Sequence, residues 1–422
     1  MKKHILFLAG LMIIFSACKK IEDAPTDTSD QKLSAALNSY QTQLTGAQFG
    51  WKAYLLTDTK IYATFLFSFA GNNRTTMSAD YAQTPAESSY RLKALQRPTL
   101  IFDTYSTLHL LSDPTPGKFG GATGAGYNSD FEFAFVSSSA DTIKLEGTFN
   151  KSKLILIRSK SAADNASAFT APDAVATTLS KLRTYFKRSM IGGKDCEVRV
   201  DIDNRAVGFS YLDAGTLKTV SSSYFVAGST LIFFDPITIG TTVLTELNGL
   251  GYDTATGFIN ANLPGGGSLQ VKEAITPLQY DKTVAARFLA NPVYGTYSEC
   301  YTGVIVDGIY DAYGVRNIPG FVDIDFIPKQ TTTYGALRVY TAAGYLTYYP
   351  AITSTVNANG IMENTLLGVV NGTPATANSS KAIVNNIALA FTKAGGFYVI
   401  QTDTKVYDLV AVADARSWLT FQ

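Results

Sequence analysis

From Trp51 onward the chain is cut into short apolar runs, and that rhythm constrains its fold more than any other feature. Trp51–Leu56, Ile61–Phe69, Ser89–Leu95, Thr99–Phe102, Thr107–Leu111, Asp130–Ser137, Thr142–Thr148 and Lys153–Arg158 are rich in Phe, Ile, Leu, Tyr and Thr. Gly, Asn, Asp and Pro bound them. β-Branched and aromatic residues suit a pleated, half-buried surface. Turn residues about every 8–12 positions join such runs into antiparallel sheets, a sandwich or a barrel. Val198–Ile202, Val207–Tyr211, Tyr224–Val226 and Thr230–Phe234 continue the pattern. So do Phe321–Ile327, Ala336–Tyr340, Tyr345–Tyr349, Ile387–Thr392, Gly396–Gln401 and Tyr407–Ala411. The expected fold is mainly β, with two or three β-rich domains.

Two amphipathic helices punctuate the runs. Over residues 30–46, Leu33, Leu37, Tyr40 and Leu44 share one face at a 3.6-residue period, and Gly46 suits the C-terminal cap. Over residues 172–188, Val175, Leu179, Leu182 and Phe186 repeat that spacing, with Pro172 in the first turn. The tetrapeptide Thr99-Leu100-Ile101-Phe102 recurs as Thr230-Leu231-Ile232-Phe233. Helix-then-sheet order with similar spacing suggests a structural repeat. The organisation expected is a helix-led β domain over 30–160, a linker over Ser159–Ala171, a second helix-led β domain over 172–275 and a Tyr-rich β domain over 285–422.

Ahead of the first helix stand Lys2 and Lys3, then an apolar run of about 13 residues, Ile5 to Ala17, then Cys18. A charged start, a short apolar core and small residues before the cleavage point make a secretory signal. The run is shorter than the roughly 20 residues a membrane-spanning helix needs. Ser16-Ala17 before Cys18 is similar to a bacterial lipobox, in which the thiol takes a diacylglycerol and the new amino end an acyl chain such as palmitate. Residues 1–18 are therefore expected to be a lipoprotein signal with Cys18 lipidated, and residues 19–29 a polar tether. Such an anchor holds firmly, because each buried methylene contributes about 0.8 kcal/mol. The expected location is the outer membrane, facing the exterior.

Charge adds little. Charged residues are 16% of the chain and the formal net charge is +1, so no basic stripe marks a nucleic-acid partner. Besides Cys18 there are Cys196 and Cys300, far apart and without a Cys-x-x-Cys, so they read as separate buried thiols or as one pair. The histidines are His4 and His109. A histidine-based zinc centre is thus not expected, nor any other metal or cofactor.

One stretch stands out: Phe102-Asp103-Thr104-Tyr105, then His109, then Ser112-Asp113-Pro114, followed by Gly126, Asp130, Glu132 and Phe133. These residues resemble a family of Bacteroidetes lipoproteins, domain of unknown function 4302, with Ser106 where asparagine is usual. The resemblance implies a cell-surface role beside outer-membrane nutrient importers of the starch-utilisation type, and it supplies no reaction. Asp103, Tyr105, His109, Asp113, Asp130 and Glu132 could line one polar binding site. They could equally form a network of turns and strand ends, since Asp and Ser hydrogen-bond locally in turns. No spacing fixes a nucleophile and base, so no catalytic residue is assigned.

Other features read as structure. Asp201-Ile202-Asp203-Asn204-Arg205 lacks the glycine and glutamate of a calcium loop and reads as a hairpin turn. Leu263 to Ser268 reads as a glycine turn. Tyrosines crowd the C-terminal third, at 294, 297, 301, 310, 313, 340, 345, 348 and 349, as core and rim or as a binding face. The leading expectation is a lipid-anchored accessory that binds an external nutrient, glycan or peptide, or an importer partner. The alternatives are a hydrolase of glycans or peptides using paired carboxylates, and a structural scaffold subunit.

Overall fold

A computed structural model describes residues 29–422. Cys18, the leader before it and tether residues 19–28 lie outside the described residues. The chain divides into two compact units, one ending at Phe169 and the other running from Thr170 to Gln422.

In the first unit the helix Ser29–Thr45 leads into eight strands that pair each with the next and close into a barrel. The first strand, Trp51–Leu56, pairs antiparallel with both Tyr62–Phe69 and Lys153–Arg158, which seals the ring. Alternation along each strand sends one side chain in two to the interior. There Trp51, Phe65, Phe67, Phe102 and Phe133 are almost wholly buried. Leu44 of the leading helix joins this core, and its carbonyl accepts a hydrogen bond from Trp51 Nε1 at 2.9 Å.

The second unit begins with the helix Ala171–Leu179 and a second closed barrel of eight strands, from Phe186–Ile191 to Ser268–Ala274. The suspected repeat is therefore an architectural one. Both copies of the Thr-Leu-Ile-Phe sequence fall on the fifth strand of their barrel, Pro98–Phe102 and Thr230–Ile239. A ten-stranded antiparallel sheet follows. It packs on the helix Asn378–Phe391, with Val384, Ile387 and Phe391 against Phe326, Phe397 and Phe421. Tyr185 at the start of the second barrel donates to Asp408 Oδ2 at 2.6 Å, and Arg416 pairs with Glu273 at 3.0 Å, so barrel and sheet share one interface in this unit.

Four local expectations are corrected. The second helix stops at Leu179, and Phe186 starts a strand. Leu182 still reaches the barrel core, so an apolar period of 3.6 continued through a turn. Residues 107–112 form a 3₁₀ helix and not a strand, because Leu108 and Leu111 both dip into the barrel end, a three-residue spacing. The expected strand Ile387–Thr392 is instead the end of the long helix, which stops at Phe391 and buries Val384, Ile387, Ala388 and Phe391. Within the supposed linker, Ala162–Ala166 is a helical turn capped by Ser161, and its Asp164 pairs with Lys52 of the first barrel. The thiols Cys196 and Cys300 are buried and unpaired with each other. No helix among the described residues is long and apolar enough to cross a membrane.

Candidate functional site

The stretch from Asp103 to Asp130 crosses one end of the first barrel and builds a groove there. Leu108 and Leu111 plug the barrel from above. Tyr127 N–H donates to the Leu111 carbonyl at 2.8 Å, which ties the returning loop to the 3₁₀ turn. Gly126 makes this approach possible. Its φ is +58°, and a Cβ there would stand 2.9 Å from the Leu111 carbonyl oxygen.

The motif residues separate into three roles. Asp130 is 4% exposed and is a knot: Oδ1 accepts from the N–H groups of Phe149 and Asn150 at 2.9 Å each, and Oδ2 from Ser152 at 3.1 Å. A Cβ on Gly147 would collide with that carboxylate, so the glycine belongs to the same knot. Glu132 is half-buried at the start of the strand Glu132–Ser138, opposite Ile101. Asp103 pairs with Arg91 at 2.7 Å near the surface.

Tyr105, His109 and Asp113 come together on the outside. The His109 ring lies between Tyr105, at 5.7 Å, and Phe131, at 5.0 Å. Tyr105 donates its phenol proton to Asp113 Oδ2, and Asp113 Oδ1 accepts from Thr115 N–H at 2.8 Å. That pair of bonds holds the Asp113 carboxyl below the usual range. Burial lowers the His109 pKa, which favours the neutral ring. Ser106 Oγ stands 3.0 Å from His109 Nδ1. Ser106 and His109 are thus within hydrogen-bond reach of each other, while the Asp113 carboxylate is held by Tyr105 and Thr115 and does not bond to the imidazole, and these residues form no metal-capable group among the described residues.

What the segment offers outward is the groove on its inner flank. It has a volume of about 390 Å³ and is lined by Ile61, Tyr62, Asp80, Tyr81, Leu111, Phe119 and Tyr127. Tyr81 and Phe119 meet at 4.5 Å, and Phe119 and Tyr127 cross at 6.2 Å nearly edge-on. Tyr81 donates to the Thr107 carbonyl at 2.9 Å, so the 3₁₀ turn fixes its ring. Burial and the neighbouring Asp80 push the Tyr81 phenol far above its ordinary pKa, so it stays neutral. Asp80 itself accepts from the N–H groups of Thr64 and Tyr81, at 3.0 and 3.1 Å. Sequence reading missed this set because its members come from three separate places, 61–62, 80–81 and 111–127. Only the aromatic content of those places was visible.

The second unit holds a larger cleft of about 690 Å³, lined among others by Glu197, Arg199, Tyr280, Asp281, Arg287 and Gln401. Its charges are matched internally. Arg199 lies 3.7 Å from Glu197, Arg287 lies 3.3 Å from Asp281, and Tyr280 donates to the Gly360 carbonyl at 2.6 Å.

A protein of two helix-led, closed β-barrels and a C-terminal sheet, with an aromatic groove at the end of the first barrel, is the class these observations define. The chain belongs to the family described as Domain of unknown function (DUF4302), whose model matches residues 22–249. No curated protein matches the chain. A solved DNA polymerase III β subunit from Thermotoga maritima aligns over 92% of this chain and 96% of that one. It does so at 8% identity and a TM-score of 0.13, which carries no argument.

Proposed function

We propose that this protein is a lipid-anchored accessory of the outer membrane that binds an external nutrient at the mouth of its first barrel. The observation that carries the reading is the groove of half-buried ring faces, Tyr62, Tyr81, Phe119 and Tyr127, with a single carboxylate, Asp80, whose oxygens already accept backbone N–H groups. An open, largely aromatic surface with one carboxylate and three tyrosine hydroxyls suits a neutral, ring-bearing ligand. A sugar ring of a glycan or an aromatic side chain of a peptide has that chemistry. The hydrolase alternative requires two carboxylates across a cleft, and this groove has one. The resemblance to lipoproteins encoded beside importers supports an importer complex as the setting, through Cys18 as the anchor.

The test is a calorimetric titration of the full chain with neutral oligosaccharides and with aromatic peptides. Binding of one class is expected, weakened tenfold or more by Phe119→Ala or Tyr62→Ala with little change in melting temperature. Failure of both classes to bind, or equal binding by both variants, removes the reading. Cys18→Ser is expected to release the protein from the membrane fraction, and unchanged fractionation would refute the anchor.

A further inference from the structure

On the C-terminal sheet, opposite its core face, lies a group of acids that forms no ion pair among the described residues. Glu299 lies on the short strand Ser298–Cys300, directly opposite Asp325 of Phe321–Ile327. Asp323 is two residues before Asp325, so both project to the face opposite the core residues Ile324 and Phe326. Carboxylate oxygens of the three residues lie within 4.8 Å of one another. Like charges placed opposite each other across strands are destabilising.

Burial sharpens the problem. Asp323 is 4% exposed and Asp325 2%. Oδ1 of each is buried without a hydrogen-bond partner, although most buried polar atoms have one. Tyr345 donates to Oδ2 of Asp325 and Tyr301 to Oε2 of Glu299, which leaves the remaining oxygens facing the group. Arg338 stands opposite Asp325 in register, yet its guanidinium lies over the rings of Tyr345 and Tyr349, at 4.1 and 4.7 Å, and forms no ion pair with the acids. Three ionised carboxylates cannot share so small a dry volume without positive charge.

We propose that Glu299, Asp323 and Asp325 form a calcium site. Every donor is a hard oxygen, and no sulfur or nitrogen ligand is in the group. Calcium accepts oxygens at about 2.3–2.6 Å, so two of its ligands stand up to roughly 4.6–5.2 Å apart, a span that admits the observed spread. Magnesium demands tighter octahedral geometry at about 2.0–2.1 Å. Three carboxylates leave coordination positions for water on the side of Glu299, which is only half-buried. The ion would bind together the short strand Ser298–Cys300 and its neighbour, and it would replace repulsion by bridging.

Terbium, which substitutes for calcium and emits when excited through nearby tyrosines, tests the site on the full chain. Tyr301 and Tyr345 contact the acids directly. A saturable emission is expected, displaced by calcium at concentrations where magnesium has little effect. Asp323→Asn should weaken it at least tenfold. Glu299→Gln, at a half-buried position that tolerates neutralisation, should do the same and keeps the test decisive if the first variant folds poorly. Calcium at about tenfold excess over its Kd should raise the melting midpoint of the second unit by roughly 3–6 °C over chelator, and Glu299→Gln should abolish the rise. Absence of calcium-displaceable emission, displacement by magnesium as readily as by calcium, or an undiminished calcium response in Glu299→Gln would overturn the assignment.

Discussion

The two barrels share strand number and connection order, yet their interiors are filled differently. In the first, aromatic rings touch in a chain, Phe65 to Phe67 at 5.3 Å, Phe67 to Phe102 at 5.4 Å and Phe102 to Phe133 at 6.5 Å. In the second, Val198, Val207, Leu231, Leu247, Leu250, Ile259 and Leu269 surround an apolar void of about 30 Å³. Eight strands enclose a lumen just wide enough for side chains to fill. Rings fill it with few pieces, whereas a mainly aliphatic lining, with Lys187 at one side, leaves a gap about one water in size. The same frame thus yields a tightly packed barrel with a groove at its mouth and a looser barrel that admits a lysine.

The largest expected effect breaks the aromatic barrel. Trp51 is fully buried, donates to Leu44 and lies 4.8 Å beneath the Arg158 guanidinium. Trp51→Ala removes the ring and the tie to the leading helix, and should destabilise the first unit by about 3–5 kcal/mol. Calorimetry should show the transition of that unit alone displaced. Asp130→Ala should come next, at about 2–4 kcal/mol, because three backbone N–H groups lose their acceptor. Asp103→Ala breaks only a surface-side ion pair and should cost less than about 1 kcal/mol. The reverse order in chemical denaturation would mean that the motif is held from its first aspartate and not from Asp130.

That contrast marks how far the sequence could be read. Strand rhythm gave a mainly β chain, and the paired helices with the repeated tetrapeptide gave the repeat, since both are local periodicities. Closure of the barrels rests on Trp51–Leu56 meeting Lys153–Arg158, about a hundred residues apart, and no local pattern encodes it. Asp103 and Asp130 look alike in sequence, and only burial separates their roles. Tyr105, His109 and Asp113 were read with Asp103, Asp130 and Glu132 as one possible polar set, and only these three come together on the outside, on and beside a single 3₁₀ turn. The groove and the acidic trio were not legible: the groove gathers residues, most of them in turns and short helices, from three separate places, and the trio lies on strands whose register is set by the whole sheet. The nine tyrosines noted in the C-terminal third divide accordingly, with Tyr301 and Tyr345 on the acids and Tyr348 against Asn385 of the helix.

The looser barrel can be sharpened at Lys187. Its side chain lines the void, and Nζ donates to the Thr184 carbonyl at 2.6 Å. Burial lowers its pKa to about 8, with Glu273 opposing that shift. The folded pKa thus lies below the unfolded value of about 10.4. Between the two the unfolded chain holds the proton and the folded chain does not, so stability of the second unit should rise as pH climbs from about 8 to 10.4. A gain of about 1–3 kcal/mol is expected, and Lys187→Met should supply a similar gain at pH 7 and flatten the dependence. An unchanged slope in that variant would show another group responsible. Val207→Ile should be nearly neutral here, because the added methyl enters the void. Ala53→Val in the first barrel adds bulk to a filled interior and should cost about 1–3 kcal/mol.

A small effect is expected at His109, where packing and recognition can be separated. Its ring is sandwiched between Tyr105 and Phe131, both substantially exposed at 58% and 41%. A stack of that kind contributes about 0.5–1.5 kcal/mol, and at the surface the lower figure applies. Because burial lowers the folded pKa of His109, the unfolded chain takes up its proton first as pH falls. Stability of the first unit should therefore be complete above about pH 6.5 and decline modestly below it, and His109→Gln should remove that decline. The groove residues Tyr81 and Phe119 lie on the other flank of the 3₁₀ turn, held by Tyr81 through Thr107 and not through the imidazole. His109→Gln should consequently leave ligand affinity within about twofold of the native chain, while Phe119→Ala weakens it tenfold or more. If instead His109→Gln abolished binding at an unchanged melting temperature, the outward stack of Tyr105, His109 and Phe131 would be the binding face, and the groove beside it only the packing that supports it.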